Sequence, residues 1–393
     1  MLKKNIVIFL LVPVFLAAQQ KQEQIHKKAV LVDTHNDIIT AVIEKKLAMD
    51  ADLKGKTQTD LKRFKKGGVD VQFFSVWSDG MKAKPYAWAN EEIDTLYAVA
   101  ERNPDKIQIV ANSKELKQAV KANKIAALFG LEGGHMIENS LENLEKLYNR
   151  GVRYMTLTWN NSTAWSTSAL DETTKKDSLA KTRKGLSDLG KQIVQKMNAL
   201  GMMIDLSHVG EQTFWDAINL TTKPVIVSHS NVYTLCPVSR NLKDDQIKAI
   251  GKNGGVINLN FYSGFIDSTF RKKEVQFMMN QVSEIDSLKR TGMQQEYAMS
   301  VIADKYAADL LTIRPPLSAL LHHLDYIVKL IGVDHVGMGS DFDGVTSTPK
   351  ELNDVTDYPL ITKALLERGY TKKQVYKILG GNMLRILKAN ETK

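Results

Sequence analysis

Five apolar segments between residues 28 and 341 each end on a histidine, an aspartate or a glutamate. They are VDTHND with His35 and Asp37, FGLEGGH with Glu132, IDLSH with His208, IVSHS with His229, and GMGSDFDG with Asp341. Each ending follows a run that is mostly Val, Ile, Leu, Met or Ala, which is how a strand buried on both faces reads. Metal-binding and acid–base side chains placed at the ends of such strands demand a fold that gathers strand ends at one place.

Eight segments read as strands, at about 28–34, 69–77, 125–131, 152–158, 202–207, 224–229, 255–261 and 335–340. Helical spacing fills the gaps, as in Ile193, Val194, Met197 and Leu200 closed by Gly201. Strand alternating with helix favours parallel pairing through right-handed crossovers. Eight such units predict an α/β fold, a (β/α)₈ TIM-type barrel, whose site lies at the carboxyl ends of the strands. A doubly wound open sheet is the rival, but its crevice draws on fewer strand ends.

The segment 263–316 is too long for a simple connection, so a long helical insertion is expected before the eighth strand. Val275, Met278, Val282, Ile285 and Leu288 recur at steps of three and four, as in an amphipathic helix. The Pro315-Pro316 pair stops or follows it. The insertion would cover the barrel mouth or join subunits. Two extra C-terminal helices are expected at about 357–368, ended by Gly369, and 372–388, with Thr371 as N-cap.

Residues 1–18 carry Lys3 and Lys4, then IVIFLLVPVFLAA, then a polar stretch, the pattern of a secretory signal peptide cleaved near Ala18. Pro13 and the short apolar run disfavour a permanent membrane span. The expected product is one domain, 19–393, exported to a periplasm or secreted. Cleavage removes two lysines and no acid, lowering the formal charge from +9 to +7. That charge is not clustered beside aromatic or Gly-rich motifs, so nucleic acid is not an expected partner. Cys236 is the only cysteine, which excludes an internal disulfide and suits a small buried residue.

His35 and Asp37 are two apart at a strand end, so both side chains point the same way. A nitrogen and a carboxylate oxygen aimed at one point make good zinc ligands. Glu132 precedes Gly133-Gly134, which allow a sharp turn and leave room beside the carboxylate. Its burial requires a cation or a metal. His208 and His229 close consecutive strands, with Asp205 and Ser228 as candidate acceptors orienting their rings. Asp341 is the favoured proton carrier and Asp343 a supporting residue. His26, His322, His323 and His335 read as structural, and His135 as a neighbour of the site at most.

These motifs, together with QFFSVW, RYMTLT, SRN and NFY, resemble the membrane dipeptidase family, also called renal dipeptidase, within the binuclear amidohydrolases. The similarity runs from about residue 29 to 388. The resemblance implies two zinc ions per chain: His35 and Asp37 on the first, His208 and His229 on the second, Glu132 bridging both. It implies that Arg240 holds the terminal carboxylate of a dipeptide and that Tyr262 contacts the substrate. A homodimer is implied too. The expected reaction is peptide-bond hydrolysis by a hydroxide held between the metals, with Asp341 passing a proton to the departing amine. One departure stands out: Trp159 replaces a histidine of mammalian members, so either Asn160 or Asn161 supplies a donor or polarisation of the substrate carbonyl falls more heavily on zinc. The insertion is also longer than theirs. Deacylation of N-acyl amino acids at the same centre, or a metal-stabilised binding protein without catalysis, are the alternatives.

Overall fold

Alternation along the longest strands decides the architecture. In Ile125–Glu132, Ala126 and Leu128 join one buried cluster while Ala127, Phe129 and Leu131 join another. The first cluster also takes Val71, Phe73, Tyr154, Met203, Ile226 and Val256 from other strands, so it is the filled interior of a barrel. The second packs the outer faces of the strands against helices. Both faces of the sheet are covered, as the apolar runs require. The computed structural model describes residues 20–176, 178 and 184–392. The leader expected at 1–18 lies outside them.

The strands are β1 (Leu31–Asp33), β2 (Val69–Trp77), β3 (Ile107–Ile109), β4 (Ile125–Glu132), β5 (Val152–Thr156), β6 (Met203–Asp205), β7 (Ile226–Val227), β8 (Val256–Leu259) and β9 (Val336–Met338). All pairings between them are parallel, in the order β2-β1-β9-β8-β7-β6-β5-β4, and β2 pairing with β4 closes the ring at eight strands. The fold is therefore a (β/α)₈ barrel. β3 is a ninth strand that the apolar pattern did not reveal. It pairs with the first residues of β4, ahead of the point where β5 joins at Phe129.

The insertion is helical but not one amphipathic helix. It breaks into Ser263–Ile266, Ser268–Asn280, Val282–Lys289, Gln295–Lys305 and Ala307–Ile313. Met278 and Ile285 are buried, whereas Val275 and Val282 are about half exposed. The turn at Gln281 separates the two helices that the spacing had joined. Part of the insertion covers the mouth: Tyr297 packs on Trp77 with ring centroids 5.9 Å apart and its hydroxyl donates to the Asp37 carbonyl at 3.3 Å.

The C-terminal helices form at Tyr358–Glu367 and from Lys372, with Thr371 capping the Gln374 amide. The second is interrupted by a π turn at Lys377–Gly381 before continuing as Asn382–Asn390. A Cβ on Gly380 would lie 2.2 Å from the Val30 carbonyl, so a glycine there lets the turn sit against the entry to β1. Cys236 is fully buried.

Candidate metal centre and active site

β1, β4, β6, β7 and β9 deliver His35 with Asp37, Glu132, His208, His229 and Asp341 to the same end of the barrel. Glu132 stands between the imidazoles. Its Oε2 lies 3.1 Å from His35 Nε2, and its Oε1 lies 3.0 Å from His208 Nε2 and 3.5 Å from His229 Nε2. His35 Nε2 is also 3.5 Å from Asp37 Oδ2 and 4.0 Å from Asp341 Oδ1. Two overlapping groups result, His35–Glu132–His229 and His35–Asp37–Asp341, each with potential ligand atoms within 4.8 Å of one another.

The outer nitrogen of every ring is occupied. The Tyr154 hydroxyl gives its single proton to the Thr34 carbonyl at 2.9 Å, so it must accept from His35 Nδ1, also at 2.9 Å. Ser228 Oγ donates to Asp205 at 2.6 Å and therefore accepts from His229 Nδ1 at 2.7 Å. Asn160 Oδ1 accepts from His208 Nδ1 at 3.0 Å. Neutral rings fixed this way turn bare Nε2 lone pairs inward, as metal-bound histidines do. His208 Nε2 and His229 Nε2 then face each other at 3.0 Å with no proton between them. Such an approach is repulsive unless a cation is shared, so the donor set fits divalent metal.

Electrostatics point the same way. Burial, with Arg240 adding to it, depresses His208 to about 3. Burial and the neighbouring His35 hold His229 well below its usual range. Burial alone would lower His35 too, but Tyr154, Glu132 and Asp37 together push it well above. Glu132 shows the reverse balance: burial raises it, yet the three imidazoles hold it well below the usual carboxylate range. Asp341 is raised well above its usual value by burial and by Asp37 and Glu132, against the pull of His35.

Local backbone is bent to make this possible. His208 and Asp341 adopt left-handed conformations at φ 62° and 61°, sparsely populated for side-chain-bearing residues. A Cβ on Gly344 would lie 2.2 Å from Asp37 Oδ2 and 2.6 Å from Asp341 Oδ1, so only glycine lets this loop pass the two carboxylates. Gly133, at φ 112°, makes the sharp turn after Glu132 in a conformation that favours glycine. A Cβ there would lie 2.5 Å from the His135 ring and 3.2 Å from Trp159 Cβ.

A cavity of about 290 Å³ opens over the centre, lined among others by Asp37, Glu132, Trp159, Asn160, Arg240, Tyr262 and Asp341. Arg240 Nη2 donates to the His229 carbonyl at 3.2 Å, while its buried Nε has no hydrogen-bond partner among the described residues. Burial lowers the guanidinium to about 10, with Asp341, Glu132 and Asp205 opposing. Asp341 Oδ2 accepts from Asn260 at 2.7 Å, leaving Oδ1 toward His35. Asp343 turns instead to the Gln58 amide and the Thr59 hydroxyl. Tyr262 gives its hydroxyl to Glu274, so it offers substrate a ring rather than a donor. Trp159 packs edge-on against Trp77 at 5.1 Å and forms wall. Asn160, not Asp205 or Ser228, orients His208. Those two serve His229 alone.

Tyr154 escaped the sequence reading. Its signal was Gly130, a glycine inside the apolar run of β4: a Cβ there would lie 1.9 Å from the Tyr154 ring. A glycine within a strand often marks such an approach. Asn260 and the lid residues carried no comparable signal.

The model of the membrane dipeptidase family, Peptidase family M19, matches residues 19–393. The chain belongs to that family. Its fold and family make it a metallo-dipeptidase, a metal-dependent hydrolase of dipeptides. It is 34% identical over 396 residues to the uncharacterized dipeptidase C965.12 of Schizosaccharomyces pombe, covering 95% of this chain and 83% of that protein. Among solved structures it resembles the probable dipeptidase PvdM from Pseudomonas aeruginosa (22% identity, 95% and 98% of the two chains, TM-score 0.73). It also resembles a metallo peptidase from Rhodobacter sphaeroides liganded with a phosphinate mimic of the dipeptide L-Ala-D-Ala (22% identity, 92% and 99% of the chains, TM-score 0.73). No helix among the described residues is long and apolar enough to cross a membrane.

Proposed function

We propose that this dipeptidase acts on free dipeptides with two zinc ions, one held by His35 and Asp37, the other by His208 and His229, with Glu132 spanning both. The observation that carries the reading is the Glu132 carboxylate, whose two oxygens face the Nε2 atoms of different histidines, Oε2 that of His35 and Oε1 those of His208 and His229. Mixed imidazole and carboxylate donors suit zinc. Bound there, the ions supply Lewis acidity and lower the pKa of coordinated water from about 15.7 to roughly 7.

The chain's own residues do the rest. Arg240, tethered to the His229 carbonyl and with a free Nε, holds the substrate's terminal carboxylate. Its planar fork matches that group. Trp159 and Trp77 exclude water from one wall. Asp341 takes a proton from the attacking water at Oδ1, the oxygen that Asn260 leaves free, and delivers it to the amine nitrogen as the peptide C–N bond breaks. The phosphinate dipeptide mimic bound by the Rhodobacter relative supports a free dipeptide as the substrate class. The leader pattern supports export to a periplasm or the exterior.

Elemental analysis of the purified protein is expected to find two zinc ions per chain, and chelation to abolish dipeptide hydrolysis reversibly. Blocking the substrate carboxylate as an amide, or extending it to a tripeptide, should lower kcat/KM by roughly 100-fold, the scale of a lost charge-assisted contact. Equal turnover of dipeptide, amide and tripeptide would refute the Arg240 clamp.

A further inference from the structure

Glu296 of the lid lines the same cavity as Arg240 and the metal-site residues. Its Oε2 is buried and has no hydrogen-bond partner among the described residues. Burial raises its pKa and the charges of Asp79 and Glu132 raise it further, against a hydrogen bond from its own backbone amide and the more distant charge of Lys289. That lysine's ammonium is engaged by Gln295 at 3.1 Å. A carboxylate in such surroundings lacks a cation.

Its position in the barrel says where the cation would come from. Tyr297, the next residue, is fixed over Trp77 at the end of β2 and bonded to the Asp37 carbonyl. Arg240 follows β7. In the closed ring β2 and β7 stand four places apart of eight, so the lid anchor and Arg240 belong to opposite walls with the metal-site cluster between them. An extended dipeptide spans at most about 7 Å. With its carboxylate on Arg240 and its scissile bond at the centre, its N-terminal residue is directed to the wall that carries Trp77, Tyr297 and Glu296.

We propose that Glu296 is a specificity-determining subsite for a cationic nitrogen on the substrate's N-terminal residue, an inference that rests on the dipeptidase reading above. The nitrogen is either the α-ammonium common to free dipeptides or the side-chain ammonium of a basic residue. The residue is contributed by the insertion, so the lid would read the substrate as well as cover it.

The test compares zinc-loaded wild type with Glu296→Gln on Ala-Ala, Lys-Ala and Glu-Ala, and measures inhibition by propionyl-alanine, a dipeptide shape without the amino group. Glu296→Gln is expected to lose roughly 10- to 100-fold in kcat/KM for Lys-Ala, chiefly through KM. Loss confined to Lys-Ala identifies the side-chain ammonium. Loss shared by all three dipeptides, with propionyl-alanine binding unchanged, identifies the α-ammonium. Glu296→Asp should recover part of the loss in either case. Equal weakening of propionyl-alanine, or no change on any substrate, would overturn the assignment while leaving the dipeptidase reading intact. Turnover of none of these dipeptides by the wild type would sink that reading and this one together.

Discussion

At the scale of single residues, the centre is defined as much by what stands behind the histidines as by the histidines. Tyr154 is the sharpest case, because its hydroxyl both accepts from His35 Nδ1 and donates to the Thr34 carbonyl. Tyr154→Phe keeps the buried ring and removes that relay. Loss of such an outer partner typically costs 10- to 100-fold in metal affinity or activity, so zinc affinity is expected to fall by about that factor. Competition with a chromophoric chelator measures it, and an affinity equal to wild type would show that Tyr154 does not hold the ring. The ligand candidates themselves were legible in the sequence because each sits at the end of an apolar run, where period-two geometry and barrel topology fix its destination. Their partners were not. Asn160 reaches His208 across a gap of 48 residues, and Asn260 reaches Asp341 across 81. Asn160 lies past the end of its apolar run, and Asn260 sits within one, at 255–261, where period fixes its face but not its partner.

At the scale of elements, the strands and the barrel were readable from alternation, whereas β3 was too short and the insertion too irregular for periodicity to resolve. Spacing of three and four survives a helix break when the break falls between matching positions, which is how Met278 and Ile285 came to lie on different helices. What pins this region to the barrel is His323, on the helix Leu317–Ile331. Its Nδ1 accepts from the Val232 amide at 3.1 Å and its Nε2 donates to the Ile266 carbonyl at 3.1 Å, tying the loop after β7 to the first helix of the insertion. Burial lowers this histidine from 6.5 to about 4, partly offset by its bond to Ile266. The unfolded chain therefore binds the proton more readily between those values. The associated stability is present above pH 6.5 and is lost as pH falls toward 4. The loss amounts to about 3 kcal/mol by linkage, at 1.36 kcal/mol per pKa unit. His323→Gln should be less stable than wild type at pH 7 and should lose less on acidification to pH 5. Parallel thermal-unfolding curves for the two proteins across that range would exclude the histidine as the cause.

At the scale of the whole molecule, the candidate ligands come from β1, β4, β6, β7 and β9, so a metal pair would tie together strands spread around most of the ring. The unfolded chain offers no such constellation, because His35 and His229 are almost two hundred residues apart in sequence yet stack at 3.8 Å when folded. A ligand that binds only the folded state stabilises it by about 2.7 kcal/mol at a free concentration of 100 Kd. Zinc should therefore raise the unfolding temperature of chelator-treated protein by several degrees, on the scale of 2–4 °C per kcal/mol for chains of about this size or somewhat smaller. The same acids that attract the metal repel one another without it: Asp37, Glu132 and Asp341 share one pocket, and their mutual repulsion helps raise Asp341 well above its usual range. Glu132→Gln removes one of these charges and the bridge at once. It should blunt the zinc-induced rise well below that of wild type while leaving the apoprotein at least as close to native stability as His229→Ala, which opens a cavity. Calorimetric scans of the three proteins with and without zinc decide the matter. An unfolding temperature indifferent to zinc in the wild type would mean that the gathered carboxylates and imidazoles do not form one metal centre.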